Sequence, residues 1–211
     1  MQHIETIIAT RIVAIVRLAR YERAVEVARA LYDGGIRAIE FTLTGEGAYE
    51  AIATCRAELG TTMVVGAGTV LDAAACHAAI DAGAQFVVTP ALRPAVVAVC
   101  RERHVPALCG ALTPSEALAA HEMGAAMIKI FPARAFGPNY IKDLLAPFPF
   151  LRLVPTGGVG PENARAYLEA GAVAVGIGGN LVTASAVVAG DWAAMTAAAR
   201  ACVAATGGTV L

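Results

Sequence analysis

The chain is poor in several things. Only 6% of its 211 residues are aromatic, with a single tryptophan, and only 16% are charged. The net charge is −1 and no basic block occurs, so nothing points to nucleic acid or to an anionic membrane surface. Every long apolar run is broken by Gly, Pro or a charge well short of the roughly 18 residues that a spanning helix needs. The N-terminal "MQHIETIIATRIVAIVRLAR" carries an acid ahead of its first arginine and has no cleavage-site pattern, so it is a poor signal peptide and the expected location is the cytosol. Cys55, Cys76, Cys100, Cys109 and Cys202 are odd in number and include no CxxC; they read as small hydrophobes rather than as a disulfide framework or a zinc site. His3, His77, His104 and His121 form no HxH or HxxxH pair, so no dedicated metal site is expected. Lysine is nearly absent. Fourteen of the sixteen basic residues are arginine, and the two lysines are Lys129 and Lys142.

What the chain has is aliphatic bulk, 57% hydrophobic, arranged in a rhythm. Short β-branched runs at 11–16, 36–43, 62–68, 85–90, 105–110, 126–131, 151–158 and 172–179 alternate with alanine-rich stretches. Those stretches, at 21–33, 47–59, 72–82, 93–103, 114–123, 138–145, 161–170 and 188–204, place apolar residues at 3 and 4 spacing. "TPSEA" (113–117) and "GPENA" (160–164) look like helix starts, and Gly34-Gly35, Gly83 and Gly171 like helix ends. Continuous apolar strands alternating with helices predict a parallel sheet covered on both faces. Eight units in this length predict an α/β fold of the (β/α)8 TIM-barrel type, one domain over residues 1–211. The alternative is a doubly wound open sheet, whose usual G-x-G-x-x-G after the first strand is replaced here by "RLARYERA".

Chemistry in such barrels sits at the C-terminal ends of the strands. Those ends carry Arg17, Glu40, Thr44, Thr69, Pro90, Lys129, Phe131, Thr156, Gly157, Gly158, Gly178 and Gly179. Lys129 lies between Ile128 and Ile130, and desolvation there lowers an amine's pKa. A neutral amine adds to ketones and turns them into electron-withdrawing imines, which arginine cannot do. The other reading of Lys129 is an ion-pair partner or anion clamp. Glu40 is the acid at a strand end, suited to proton transfer or to pairing with Lys129 or Arg17. Arg17 and Thr69 suit a substrate carboxylate. The glycine pairs after strands seven and eight suit close backbone approach to a phosphate, or are plain turns.

The stretches "GGIRAIEFTLT", "VVGAGTVLD", "GAQFVVTP", "IKIFPARAFGPNYIKDL" and "VPTGGVGPENARAYLEAGAVAVGIGGNLV" carry a resemblance. The sequence resembles the class I 2-keto-3-deoxy-6-phosphogluconate (KDPG) and 2-keto-4-hydroxyglutarate (KHG) aldolases of the Entner–Doudoroff type, over roughly residues 8 to 185. The resemblance implies a metal-independent lyase without cofactor that releases pyruvate and a phosphorylated aldehyde, assembled as a homotrimer of barrels. It puts the Schiff base on Lys129 and acid–base work on Glu40. Thr69 contacts the pyruvate carboxylate, and Thr156 bears on C4 stereochemistry. Some members bring an arginine to that carboxylate four residues after the glutamate, where this chain has Thr44. Others use one ending the first strand, which matches Arg17. Pro90 and Phe131 shape the pyruvate pocket. The remaining alternatives are a relative acting on the 6-phosphogalactonate epimer or on KHG, a phosphate-binding barrel synthase, and a non-catalytic barrel.

Overall fold

A computed structural model describes residues 2–208; the ends of the expected domain, residue 1 and residues 209–211, lie outside the described residues. Eight parallel strands follow one another around a ring: β1 (Ile12–Val16), β2 (Ala38–Thr42), β3 (Val64–Gly68), β4 (Val87–Val88), β5 (Ala107–Ala111), β6 (Met127–Ile130), β7 (Leu153–Pro155) and β8 (Val175–Ile177). β1 also pairs with β8, and a bridge between Thr156 and Gly176 joins β8 to β7, so the expected TIM barrel forms and the open sheet does not. β4 is shorter than the 85–90 run implies at both ends, and at the far end Pro90 has no N–H to extend the ladder.

Helices α2 (Ala24–Asp33), α3 (Ala48–Leu59), α4 (Ala73–Asp81), α5 (Pro94–Glu102), α6 (Pro114–Glu122), α7 (Asn139–Leu145) and α8 (Ala164–Glu169) each follow one strand. α6 starts on the capping box expected from "TPSEA": Thr113 Oγ1 accepts from the Glu116 amide, and the Glu116 carboxylate accepts from the Thr113 amide. "GPENA" works otherwise. α8 begins only at Ala164, and Asn163 turns its side chain back on the preceding loop. The single helix expected over 188–204 is two, α9 (Ala184–Ala189) and α10 (Trp192–Thr206), broken where Gly190 takes a left-handed backbone at φ 68. No helix of the described residues is long and apolar enough to cross a membrane.

Strand pleating sends alternate side chains to opposite faces. One apolar cluster lies between barrel and helices and includes Ile39, Phe41, Val65, Val87, Ile128 and Ile130. A second fills the barrel and includes Val13, Ala38, Val64, Phe86, Met127 and Val154. It also includes Ile4 and Ile7 of α1 (Gln2–Thr10), a helix the sequence reading passed over. α1 therefore plugs the end of the barrel where the strands begin. Its signal was present, with Ile4, Ile7 and Ile8 at helical spacing and Glu5 in the first turn. With one mouth stoppered, the polar residues gather at the other.

Ile7 is fully buried in the plug. Ile7→Ala is expected to cost about 2–5 kcal/mol, read as a lowered urea midpoint. A change below about 0.5 kcal/mol would mean that α1 is dispensable trim.

Candidate active site

Lys129 follows Met127 on the inward-facing set of β6, so Ile128 and Ile130 point away from it, towards the helices. The flanking isoleucines are thus not what dries the amine. The barrel interior does that, leaving the residue 3% exposed. Glu40 faces inward by the same alternation from Ala38 and is 1% exposed. Lys129 Nζ and Glu40 Oε1 are 4.0 Å apart, in ion-pair range but beyond a hydrogen bond, and Glu40 Oε1 has no hydrogen-bond partner among the described residues. Room for the carboxyl comes from Gly68, on which a Cβ would lie 2.6 Å from Glu40 Oε1.

Burial is the leading influence on both groups and drives both towards neutrality. The Lys129 amine is held below the ordinary lysine value by desolvation, partly opposed by Glu40 and reinforced by the like charge of Arg17. The Glu40 carboxyl is pushed up by desolvation, against the opposing pull of Lys129 and then Arg17. Burial thus moves the two groups in opposite directions on the pH scale, each towards its uncharged form, which is the kind of perturbation that marks a candidate active site.

Above Lys129 opens a cavity of about 470 Å³, lined by Arg17, Phe131, Thr156, Gly157, Gly158, Gly178 and Gly179 among others. The Phe131 ring lies 5.3 Å from Lys129 Nζ. Thr156 is buried, its hydroxyl 3.3 Å from the Val154 carbonyl oxygen. The Gly157-Gly158 turn has φ of 89 and 78, backbone that disfavours a side chain, and Asn163 pins it by donating from Nδ2 to the Gly158 carbonyl at 2.9 Å. No hydrogen bond engages the Gly158 or Gly179 amide among the described residues. The short helix expected from Asn180 is instead a turn, Leu181 N donating back to Gly178 O, and α9 starts at Ala184 behind the Thr183 cap.

Four expected site residues stand apart from this cavity lining. Glu40 sits deeper, behind the amine. Thr69 is at the end of β3 with a left-handed backbone, φ 58, costly for a β-branched residue, and its buried Oγ1 has no hydrogen-bond partner among the described residues. Pro90 ends the β4 run, next to Gly110. Thr44 is exposed and its hydroxyl is 2.9 Å from that of Thr42. Arg17 is exposed and makes no ion pair or hydrogen bond among the described residues.

Two residues were missed. Tyr21 is buried with its hydroxyl 2.9 Å from the carbonyl oxygens of both Val16 and Thr42, tying the ends of β1 and β2 and so fixing the base of Arg17. Arg134 lines the cavity from the loop after β6. Its position in "FPAR", two residues past the strand-end Pro132, was the available signal.

The sequence matches the KDPG and KHG aldolase family over residues 4–198. It is 40% identical over 194 residues to the 2-dehydro-3-deoxy-phosphogluconate aldolase of Treponema pallidum, covering 92% of each chain. It is 37% identical over 199 residues to the KHG/KDPG aldolase of Escherichia coli K12, covering 93% of this chain and 92% of the other. Among solved structures it resembles a KDPG aldolase from Legionella pneumophila with pyruvate captured at low pH as a covalent carbinolamine intermediate. The TM-score there is 0.85 at 27% identity, over 93% of this chain and 96% of that one.

Replacing Lys129 with Met removes the amine that the barrel penalises, so Lys129→Met is expected to raise Tm. The gain should be largest at acid pH, where the wild type bears the full cost of a buried ammonium. It should shrink as pH rises, because the raised Glu40 carboxyl costs stability above its folded pKa and has lost the cation beside it. Thermal unfolding at pH 5 and pH 9 checks this. An advantage that grows with pH would mean that the pair is a stabilising salt bridge.

Proposed function

The chain belongs to the KDPG and KHG aldolase family of class I, Schiff-base pyruvate aldolases, and on that premise we propose that its substrate is 2-keto-3-deoxy-6-phosphogluconate, cleaved to pyruvate and glyceraldehyde 3-phosphate. The observation that carries the reading is a desolvated Lys129–Glu40 pair beneath a cavity whose lining includes glycine turns and two arginines without an ion pair among the described residues, but no acid.

In this reading the neutral Lys129 amine attacks the C2 ketone, and Glu40 supplies and withdraws the protons that carry the carbinolamine to an imine. The protonated imine then accepts the electron pair of the C3–C4 bond as that bond breaks, and the C4 hydroxyl proton passes to Glu40. The resulting enamine takes a proton at C3, and hydrolysis frees pyruvate and Lys129. Arg17 and the unpartnered Thr69 hydroxyl hold the substrate carboxylate, with Arg17 standing where other members use the position of Thr44. Phe131 and Pro90 bound the pyruvate end. Thr156 meets the C4 hydroxyl, because it lies between Lys129 and the Gly157-Gly158 turn in the cavity lining. The amides of Gly157, Gly158, Gly178 and Gly179 receive the phosphate. A cytosolic homotrimer is the assembly in keeping with this reading, and the exposed Phe136 and Phe150 offer apolar surface for it.

Cleavage of a panel of 2-keto acids tests the substrate: KDPG, its C4 epimer, KHG and unphosphorylated 2-keto-3-deoxygluconate. KDPG is expected to show the highest kcat/KM, with loss of the phosphate costing on the order of 10²-fold or more. The best probe of the phosphate loops is Gly179→Val. Gly179 has no atom within 4 Å of a would-be Cβ and no positive φ, whereas a Cβ on Gly158 meets Arg134 Cβ at 2.6 Å. Gly179→Val should therefore fold normally and lose KDPG turnover. A wild type indifferent to phosphate, or best on KHG, would overturn the assignment.

A further inference from the structure

The distal half of the cavity contains a charge that backbone amides do not supply. Of the fourteen arginines, ten are engaged by carboxylates, carbonyls or neighbouring side chains. Four make no such contact among the described residues: Arg17, Arg134, Arg152 and Arg200. Two of those four, Arg17 and Arg134, line this one cavity. With Lys129 they make three basic residues in a lining that contains no aspartate or glutamate.

Arg134 is also built into place by its backbone. It sits in the 3-10 turn Ala133–Ala135 that follows β6. Ala133 N donates to Thr156 O at 2.8 Å and Arg134 N donates to Gly157 O at 3.0 Å, so the turn is laced to the end of β7. Asn163 holds the same glycine turn from the other side, at Gly158 O. The Arg134 stem crosses Gly158 so closely that a Cβ there would lie 2.6 Å from Arg134 Cβ and 3.3 Å from its Cδ. The stem is thereby placed over the Gly157-Gly158 turn, and the side chain lines the cavity from the β6 and β7 loops.

We propose that Arg134 is a specificity-determining residue, the cation that reads the distal phosphate of the substrate while Arg17 reads the carboxylate at C1. The inference rests on the reading above that the substrate ends in a phosphate. A guanidinium offers two parallel N–H donors to a phosphate, and the glycine amides complete the cradle. A distal carboxylate, as in KHG, has one charge fewer and a shorter reach from C2. The arginine therefore favours the phosphorylated acid over both the shorter dicarboxylate and the neutral-ended sugar acid.

The test is the ratio of kcat/KM for KDPG to kcat/KM for 2-keto-3-deoxygluconate, measured on wild type and variants. Arg134→Ala is expected to lower that ratio about 10–100-fold, the usual range for one charge-assisted hydrogen-bonding group. Arg134→Gln, which keeps the stem over Gly158, should lower it similarly, and Arg134→Lys should recover part of it. A ratio unchanged in both Arg134→Ala and Arg134→Gln, with a wild type that prefers KDPG, would overturn the role of Arg134 and leave the substrate assignment standing. A wild-type ratio near one would overturn both. A KHG to 2-keto-3-deoxygluconate ratio that falls as far as the KDPG ratio would replace phosphate reading by general anion attraction.

Discussion

An amine and a carboxyl share a space that suits neither charge. Lys129 and Glu40 are each almost wholly removed from solvent, 4.0 Å apart, and desolvation outweighs their mutual attraction in setting both titrations. Moving a charge out of water costs several kcal/mol even after relaxation, and a buried pair recovers this only with excellent geometry and further hydrogen bonds. Here the further bonds are missing: Glu40 Oε1 has none among the described residues. Under the proposed reading, the arrangement gives up stability to favour an uncharged amine next to a group that can carry protons, the pairing that imine chemistry requires.

The rest of the barrel is organised around sustaining that pair. α1 stoppers one end, packing Ile4 and Ile7 against the inward strand residues. Small residues on the inward set make room where polar side chains need it: Gly68 for Glu40 and Gly176 for the Thr156 hydroxyl. Tyr21 ties the ends of β1 and β2, and the turn bearing Arg134 is laced to the end of β7. The backbone beneath Arg17 and beneath Arg134 is thus fastened to the neighbouring strand end on each side of the cavity. Positioning of this kind is what, under the proposed reading, lets remote binding energy act at the reacting carbon.

The sequence made the barrel legible because two patterns alternate cleanly: short, continuously apolar β-branched runs and alanine-rich runs with apolar residues at 3 and 4 spacing. It made the pair legible too, since Lys129 and Glu40 each stand alone among apolar residues. The reason first attached to Lys129 was incomplete, however. Its isoleucine neighbours face the helices, and only the closed barrel creates the dry interior. α1 escaped notice because it lies before the first strand of the repeat. The start of α8 was misplaced because Asn163 is used by the loop rather than by the helix. Arg134 was passed over as a site residue because "FPAR" marks only its place past the strand, whereas its position beside the glycine turn arises from backbone bonds between the β6 and β7 loops. Thr69 shows the converse case. "GAGT" suggested a carboxylate contact, and the left-handed backbone with an unbonded hydroxyl adds a physical reason to look there.

The account stands on one covalent event. Lys129 is the desolvated amine, while the only other lysine, Lys142, is exposed on α7 and keeps company with water. The most direct measurement is reduction with borohydride in the presence of pyruvate, followed by peptide mapping by mass spectrometry. A single reduced pyruvate adduct on Lys129, absent from Lys129→Met, is the predicted result. No adduct, or one on Lys142, would contradict the account.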